Sequence, residues 1–361
     1  MRQHVDQRHA QILELVRSRG SVRVAELADE LGVSAVTLRR DIEALAQRGR
    51  VNRLHGVVVW PQERPRHSPD SRGRRVGMIV PTTDYYYADV VRGAREVVEA
   101  RGARLAVALS DYLPGEDETQ ARRLLAAGAD GLLLTPTWED GTAPHGEGDW
   151  VAGLGVPTVL VERTAPHGHP AAALDRVRSD HAYGSAEALR HLASLGHRRI
   201  ALALRPTPTS PRLRAGCRSA IEALGLEEAP PSSLDENPAR GTAERFERTA
   251  AYLREAVTEH GVTAALVHTD GDAVAVIPRL REQGVRVPED LAVVAYDDEI
   301  AAVADIPVTA VAPAKRAIGA RAAALLLSRL DASNPLGGVR QHLDLLPTLT
   351  VRMSCGAHLS S

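Results

Sequence analysis

Apolar and polar positions between residues 24 and 45 alternate with a helical period, and Gly32 divides them into two short amphipathic helices. Ser34 stands where its side chain can accept a backbone N–H from the first turn of the second helix, so a helix beginning there has a physical reason to begin. At about 100° per residue, Leu38, Ile42 and Leu45 form one stripe of that helix, and Val36, Arg39, Arg40 and Glu43 form the opposite one. A leucine stripe backed by an arginine pair suits a helix that docks in a DNA major groove. Residues 8–19 carry Ile12, Leu13, Leu15 and Val16, which predicts a first helix closing a three-helix core. Residues 48–56, Arg-Gly-Arg-Val-Asn-Arg-Leu-His-Gly, suit a β-wing whose basic tip touches phosphates.

The periodicity stops over residues 58–75, where Pro61, Pro65, Pro69 and Gly73 make a continuous helix improbable, and this stretch reads as a linker. Beyond it the pattern changes to short apolar strands alternating with helices. Strands are predicted over 76–80, 105–109, 131–134, 158–161, 200–204, 264–267 and 291–295. Helices are predicted over 87–101, 116–127, 181–195, 214–224 and 273–283. Repeated β-α units of this length imply an α/β fold, with parallel sheets covered by helices on both faces. The proline-rich residues 228–240 read as a surface loop.

Two family resemblances follow from these residues. Residues 7–58, with Val33-Ser34, Thr37-Leu38-Arg39-Arg40-Asp41, Leu45 and His55-Gly56, resemble the N-terminal winged helix-turn-helix of the DeoR family. That resemblance implies that Arg39 and Arg40 contact bases or phosphates and that Thr37 sits at the groove edge. It also implies that Arg50, Arg53 and His55 touch the DNA backbone, and Ser34 and Val36 complete the DNA-facing set. Residues 75–355 resemble the effector-binding domain of LacI/GalR regulators, akin to periplasmic sugar-binding proteins. The carriers include Val76-Gly-Met-Ile-Val-Pro81, Ala129-Asp-Gly-Leu-Leu-Leu134, Leu195-Gly-His-Arg-Arg-Ile-Ala201, Val294-Ala-Tyr-Asp-Asp298 and Leu349-Thr-Val-Arg352. The implied fold has two α/β lobes joined by three crossings, expected near 163–175, 298–309 and 331–343, with a ligand in the cleft. The predicted domains are thus a winged head over 1–57, a linker over 58–75 and a two-lobed sensor over 76–361.

Strands of such sheets end in loops that face the interlobe crevice. Tyr85, Tyr86 and Tyr87 follow the first strand of the sensor, in a chain only 3% aromatic. An aromatic face can stack on the C–H face of a sugar while the phenol hydrogen-bonds outward. Tyr86 and Tyr87 resemble the family's ligand-stacking pair; the alternative is that they plug the domain edge. Asp297 ends its strand, and a carboxylate accepts from two adjacent hydroxyls at once, which suits a polyol. The resemblance makes Asp297 a ligand contact, with a structural role as the alternative. Asp298 is expected to cap the following turn. By resemblance Asp270 borders the cleft and Arg212 or Arg214 matches a ligand-reading arginine, with Arg212 taken as the candidate although the usual arginine-to-glycine spacing is not kept. Asp180-His181 stands where Asp-Asn is common. His145, His167 and His169 lie among prolines and glycines and read as solvated loop residues rather than metal ligands.

Composition narrows the function. The net charge is −2, yet residues 1–75 hold fifteen arginines against nine acidic residues, a net of +6 that leaves −8 for the remainder. A basic head on an acidic body fits a DNA-binding regulator. Lys315 is the only lysine, which removes phosphate-loop enzymes and leaves Schiff-base chemistry to one residue. No Gly-x-Ser-x-Gly elbow supports a hydrolase. Cys217 and Cys355 form no Cys-x-x-Cys pair. No apolar run approaches the ~20 residues of a membrane span, and the first residues lack the apolar core of a secretory signal, so a cytoplasmic protein is expected. The expectation is a ligand-responsive transcriptional repressor, acting as a homodimer on operator DNA, with a sugar as effector, no catalytic residues, no metal and no cofactor. A sugar-binding transport protein and a sugar-acting enzyme are the rival readings.

Overall fold

The computed structural model describes residues 5–19, 21–47, 51–54, 57–59, 73–144, 146, 148–227, 229–232, 241–331 and 339–357. They fall into two compact units, residues 1–67 and 68–361.

The first unit holds α1 (Val5–Arg19), β1 (Ser21–Arg23), α2 (Val24–Leu31), α3 (Ala35–Gln47), β2 (Asn52–Leu54) and β3 (Val57–Val59). Gly32 leaves α2 in the left-handed region at φ +62°, and Val33 N reaches back to Ala28 O at 3.1 Å, closing the helix end. The Ser34 hydroxyl then accepts from Thr37 N at 3.2 Å and starts α3, as its position in the sequence predicts. Ile12, Val16, Leu27, Leu38, Ile42 and Leu45 meet in one core, which Val22 and Val58 close from the three-stranded antiparallel sheet β1-β3-β2, with Val51 just before β2. Val58 is fully buried in β3, so the winged head extends two residues into the segment expected to be linker. Asp41 ties α3 to α1 through Arg8 Nε at 2.6 Å and His9 Nε2 at 3.1 Å. Burial alone would raise its pKa; the bonds from Arg8 and His9 outweigh that and hold it below the ordinary carboxylate value.

The second unit has two lobes. The first is a six-stranded sheet of β4 (Arg75–Val80), β5 (Arg104–Leu109), β6 (Gly131–Leu134), β7 (Thr158–Val161), β8 (Asp175–Ser179) and β13 (His342–Leu345), all paired parallel in the order β13-β8-β7-β6-β4-β5. Val76, Met78 and Val80 face α4 (Tyr86–Ala100) and α11 (Lys315–Leu330). Ile79, Leu132, Leu134 and Leu160 fill the other face under α5 (Glu116–Ala126) and the single turn α6 (Asp149–Ala152). α4 and α11 cross almost backbone to backbone: a Cβ on Gly93 would stand 1.9 Å from Arg316 O, and one on Gly319 1.8 Å from Val90 O.

The second lobe orders its strands β14-β12-β11-β10-β9. They are β9 (Ile200–Leu204), β10 (Ala264–His268), β11 (Ala292–Tyr296), β12 (Thr309–Ala312) and β14 (Thr348–Thr350), of which only the β12–β14 pair is antiparallel. Its helices are α7 (His181–Ser194), α8 (Ser210–Leu224), α9 (Thr242–His260) and α10 (Asp270–Glu282). The β-α alternation and the parallel sheets are as the sequence predicts.

The crossings are not where they were expected. The chain passes between lobes after β8, after β12 and after β13, near residues 180, 313 and 346, rather than within 163–175, 298–309 and 331–343. The reason is that β8, Asp-Arg-Val-Arg-Ser, has Val177 as its one apolar residue and reads as a loop, although Asp175, Val177 and Ser179 are all buried. Its buried Asp175 is neutralised by Arg329 of α11, at 2.7 Å from both Nε and Nη2.

Candidate functional site

On the first unit, α3 carries Val36, Thr37, Arg39 and Arg40 of the set that the sequence singles out for DNA contact. Arg40 and Glu43 are exposed opposite the buried Leu38, Ile42 and Leu45. Ser34 is exposed, and its hydroxyl is engaged with both Thr37 N and, at 2.9 Å, Thr37 Oγ1. It therefore serves first as the helix cap. Val36 and Arg39 belong to α3 and Arg53 to β2, with side chains outside the described set. Arg50 and His55 lie outside the described residues.

In the second unit, the loops after the strands of both lobes converge on a cavity of about 100 Å3. Tyr86, Tyr87 and Asp297 line it, together with Tyr85, Tyr112, Glu162, Arg163, His181, Arg205, Thr207, His268 and Thr269. Four of these, Tyr85, Tyr112, Glu162 and Asp297, have positive φ (53°, 57°, 56° and 97°). Non-glycine residues held in that region concentrate where side chains must be aimed at a ligand.

The deep end of the cavity is a rigid polar lattice. Tyr86 donates to Glu162 Oε1 at 2.6 Å and lies 3.0 Å from Ser179 Oγ; the Glu162 carboxylate also accepts from Ser179 N at 3.1 Å. His181 bridges the lobes, with Nε2 3.3 Å from Glu162 Oε2 and Nδ1 3.0 Å from Tyr296 Oη. Burial pushes the Glu162 pKa up, but His181, Tyr86 and Ser179 together bring it below the ordinary value, so it stays ionised. Arg163 is buried and donates to Pro136 O at 2.7 Å and to Tyr87 Oη at 3.3 Å. The Tyr86 and Tyr87 rings meet edge to face at 5.4 Å. Lys315, the sole lysine, sits 5.6 Å from the Tyr86 ring centre and is held by Asp297 O and the Glu299 carboxylate.

Three groups in this cavity remain open to a ligand. Asp297 is buried, and its carboxylate comes no closer than 4.0 Å to His268 Nε2. Burial pushes its pKa up to about 6, against the opposing charges of Lys315 and His181. Burial, with Arg205 and His181 nearby, pushes His268 down to about 3, which makes it a neutral imidazole, and its buried Nδ1 has no partner among the described residues. Arg205 Nε is likewise buried and unpartnered among them, while its Nη1 lies 3.8 Å from the Asp272 carboxylate. A carboxylate, a neutral imidazole and a guanidinium beside tyrosine faces can take the alternating donors and acceptors of a polyol.

Two expected ligand residues are placed elsewhere. Asp270 is fully buried behind the wall, where one carboxylate oxygen accepts from Glu299 N and Ile300 N at 2.6 Å and Ala301 N at 2.9 Å, and the other from the Tyr85 hydroxyl. It caps the turn expected to be capped by Asp298, which instead pairs with Arg352 at 2.7 Å. Arg212 lies outside the cavity and reaches from α8 to the other lobe, donating to Gly141 O at 3.1 Å and Thr142 Oγ1 at 3.3 Å. Burial, followed by Arg178 and Arg163, pushes its pKa down to about 10. His169, expected in a solvated loop, is buried, with Nδ1 accepting from Ala171 N at 3.1 Å. Glu162-Arg163, Arg205 and His268 were missed, although each ends or directly follows a strand. Applying the strand-end rule to every strand, rather than to the first and last, finds them.

Comparison with known proteins gives two family matches: a DeoR-like helix-turn-helix domain over residues 8–64 and a periplasmic binding protein-like domain over 189–355. The arabinose metabolism transcriptional repressor of Geobacillus stearothermophilus is 24% identical over 314 residues, covering 85% of this chain and 84% of that protein. The HTH-type transcriptional regulator CelR of Thermobifida fusca is 30% identical over 249 residues, covering 68% and 69%. Among solved structures, a transcriptional regulator CelR–cellobiose complex matches with a TM-score of 0.62 at 26% identity, over 89% of this chain and 91% of that one.

Proposed function

This chain belongs to the LacI-type family of HTH transcription regulators, and on that premise we propose that it is a sugar-responsive repressor whose hold on an operator changes when a sugar enters the interlobe cavity. It is a ligand-responsive DNA-binding regulator, and its relatives are regulators rather than enzymes. The observation that carries the sugar reading is the set of open groups at strand ends, Asp297, His268 and Arg205, beside Tyr86 and Tyr87. A buried carboxylate with no salt-bridge partner of its own at hydrogen-bonding distance gains most from vicinal hydroxyl donors. DNA recognition is assigned to α3, with Arg39 and Arg40 on bases or phosphates and Arg50, Arg53 and His55 on the backbone. The working form is a cytoplasmic homodimer that sets two heads on an inverted repeat, and closure of the sensor alters their fit.

Gel shift of the full-length protein on the DNA upstream of its own gene, with and without a carbohydrate library, tests this reading. The expected result is a retarded complex whose affinity changes with one class of sugar. Absence of specific DNA binding, with tight sugar binding retained, favours the transport-protein reading. Conversion of a sugar during the assay favours an enzyme.

A further inference from the structure

The two sensor lobes also meet through a bond that involves none of the open groups of the cavity. Tyr85 belongs to the first lobe, between β4 and α4, and its hydroxyl donates to Asp270 Oδ1 at the start of α10 in the second. Among the described residues this is the one hydrogen bond that Oδ1 receives. Oδ2 holds a turn of the second lobe, accepting from Glu299 N and Ile300 N at 2.6 Å and Ala301 N at 2.9 Å. One fully buried carboxylate thus joins a side chain of one lobe to three backbone amides of the other.

The turn leans on that carboxylate. Ala301 is buried, but Ile300 and Val303 are exposed, so side-chain packing adds little to hold it. Asp297 and Asp298, just ahead of it, both have positive φ (97° and 54°), a conformation that persists only where the surroundings impose it. A second support comes from Lys315, which donates to Asp297 O and pairs with the Glu299 carboxylate. The two supports differ in permanence. Lys315 opens α11 directly after the crossing near residue 313, so the chain itself keeps it beside the second lobe. Tyr85 has no such tether, and a hydrogen bond is lost once its partners separate by about an ångström.

We propose that the Tyr85–Asp270 bond is a clasp that couples closure of the lobes to the order of the 298–303 turn. Closed lobes give Asp270 four donors and fix the turn. Separation withdraws the phenol and leaves a buried charge one donor short, whereas a locally opened turn, with the carboxylate in water, loses far less. The free energy of opening the turn therefore falls. The coupling is reciprocal: whatever orders the turn favours closed lobes.

Hydrogen exchange of the full-length protein, read by mass spectrometry, tests the clasp. Tyr85→Phe keeps the ring and the backbone and removes only the donor. It is expected to speed exchange of a peptide spanning residues 298–303 by about tenfold, with peptides across β4 and β9 at wild-type rates. Gly141→Ala acts on the lobes at a different contact, against Pro208 O and Arg212. It is expected to speed the same peptide in step with any rise in the radius of gyration read by X-ray scattering. A turn that exchanges at the wild-type rate in Tyr85→Phe overturns the clasp. Acceleration of β4 and β9 together with the turn also overturns it, because the hydroxyl then supports the whole fold. A Gly141→Ala protein that scatters as more open while its turn is unchanged, or whose turn loosens with no change in scattering, overturns the coupling.

Discussion

Asp297→Asn separates a ligand-reading carboxylate from a structural one, because the two roles predict opposite signs for stability. Folding moves the Asp297 pKa from an ordinary 3.8 up to about 6, with burial the main cause. A carboxyl whose pKa rises on folding holds its proton more tightly in the folded state. Stability is therefore unaffected by this group below about pH 4, falls as pH rises from 3.8 to 6, and bears the full penalty above that. Each tenfold change in proton affinity is worth about 1.4 kcal/mol, so the penalty at neutral pH is about 3 kcal/mol. Asparagine keeps the shape, tolerates positive φ as aspartate does, and carries no charge to desolvate. Lys315, His181, Asp270, Arg205 and His268 face the group in both proteins, and the Asp297 shift already contains the opposing charges of Lys315 and His181. Asp297→Asn is thus expected to match the wild type near pH 4 and to melt higher by on the order of 5 °C at pH 7.5, as read by scanning fluorimetry across pH. Its sugar affinity is expected to fall by roughly 1.5–3 kcal/mol, the worth of hydrogen bonds to a charged acceptor. A variant that melts lower than the wild type at pH 7.5, or a difference that does not change with pH, would refute the argument and make Asp297 structural.

Asp270→Ala is expected to act in the opposite direction: it strands the backbone N–H groups of Glu299, Ile300 and Ala301 and costs about 2–4 kcal/mol, measured by urea unfolding of the sensor; unchanged stability would contradict the capping role. Gly141→Ala places a Cβ 2.5 Å from Pro208 O and 2.8 Å from Arg212 Nη1, at a residue with φ +61°. It should prop the lobes apart, seen as a larger radius of gyration by X-ray scattering and a sugar affinity lower by roughly tenfold; identical scattering and affinity would count against Arg212 and Gly141 as the closing contact. Replacing Arg39 and Arg40 together with alanine should leave the head folded and weaken operator binding by about 1–3 kcal/mol for each arginine that reads a base edge. Arginines that touch only phosphates would instead flatten the salt dependence when replaced, and wild-type binding at all salt concentrations would remove α3 as the recognition helix.

Much of this protein is written in short-range pattern. The Leu38–Ile42–Leu45 stripe, the Ser34 cap and the Gly32 break are local, and a local signal specifies α3 before anything packs on it. The apolar runs of β4, β6, β7 and β9 are equally local, because strands buried on both faces need uninterrupted apolar side chains. That is enough to read a winged head and an α/β sensor.

The rest depends on partners far apart in the chain. Asp175 looks like a loop residue until Arg329, on a helix that begins after the second crossing, neutralises it inside the sheet; β8 and the true first crossing follow from that pair. Asp270 and Asp297 are both strand-end carboxylates, and nothing adjacent in sequence distinguishes them. Tertiary structure brings three N–H donors to Asp270, while His268 Nε2 stops 4.0 Å short of the Asp297 carboxylate, so one becomes a cap and the other stays open for hydroxyls. Arg212 carries the charge of a ligand contact, but the docking of the two lobes turns it onto Gly141. Propensity and periodicity are sums over neighbours and survive in the sequence. The protonation and availability of a buried polar group depend on which other groups desolvate and satisfy it, and that is settled only when segments distant in the chain pack together.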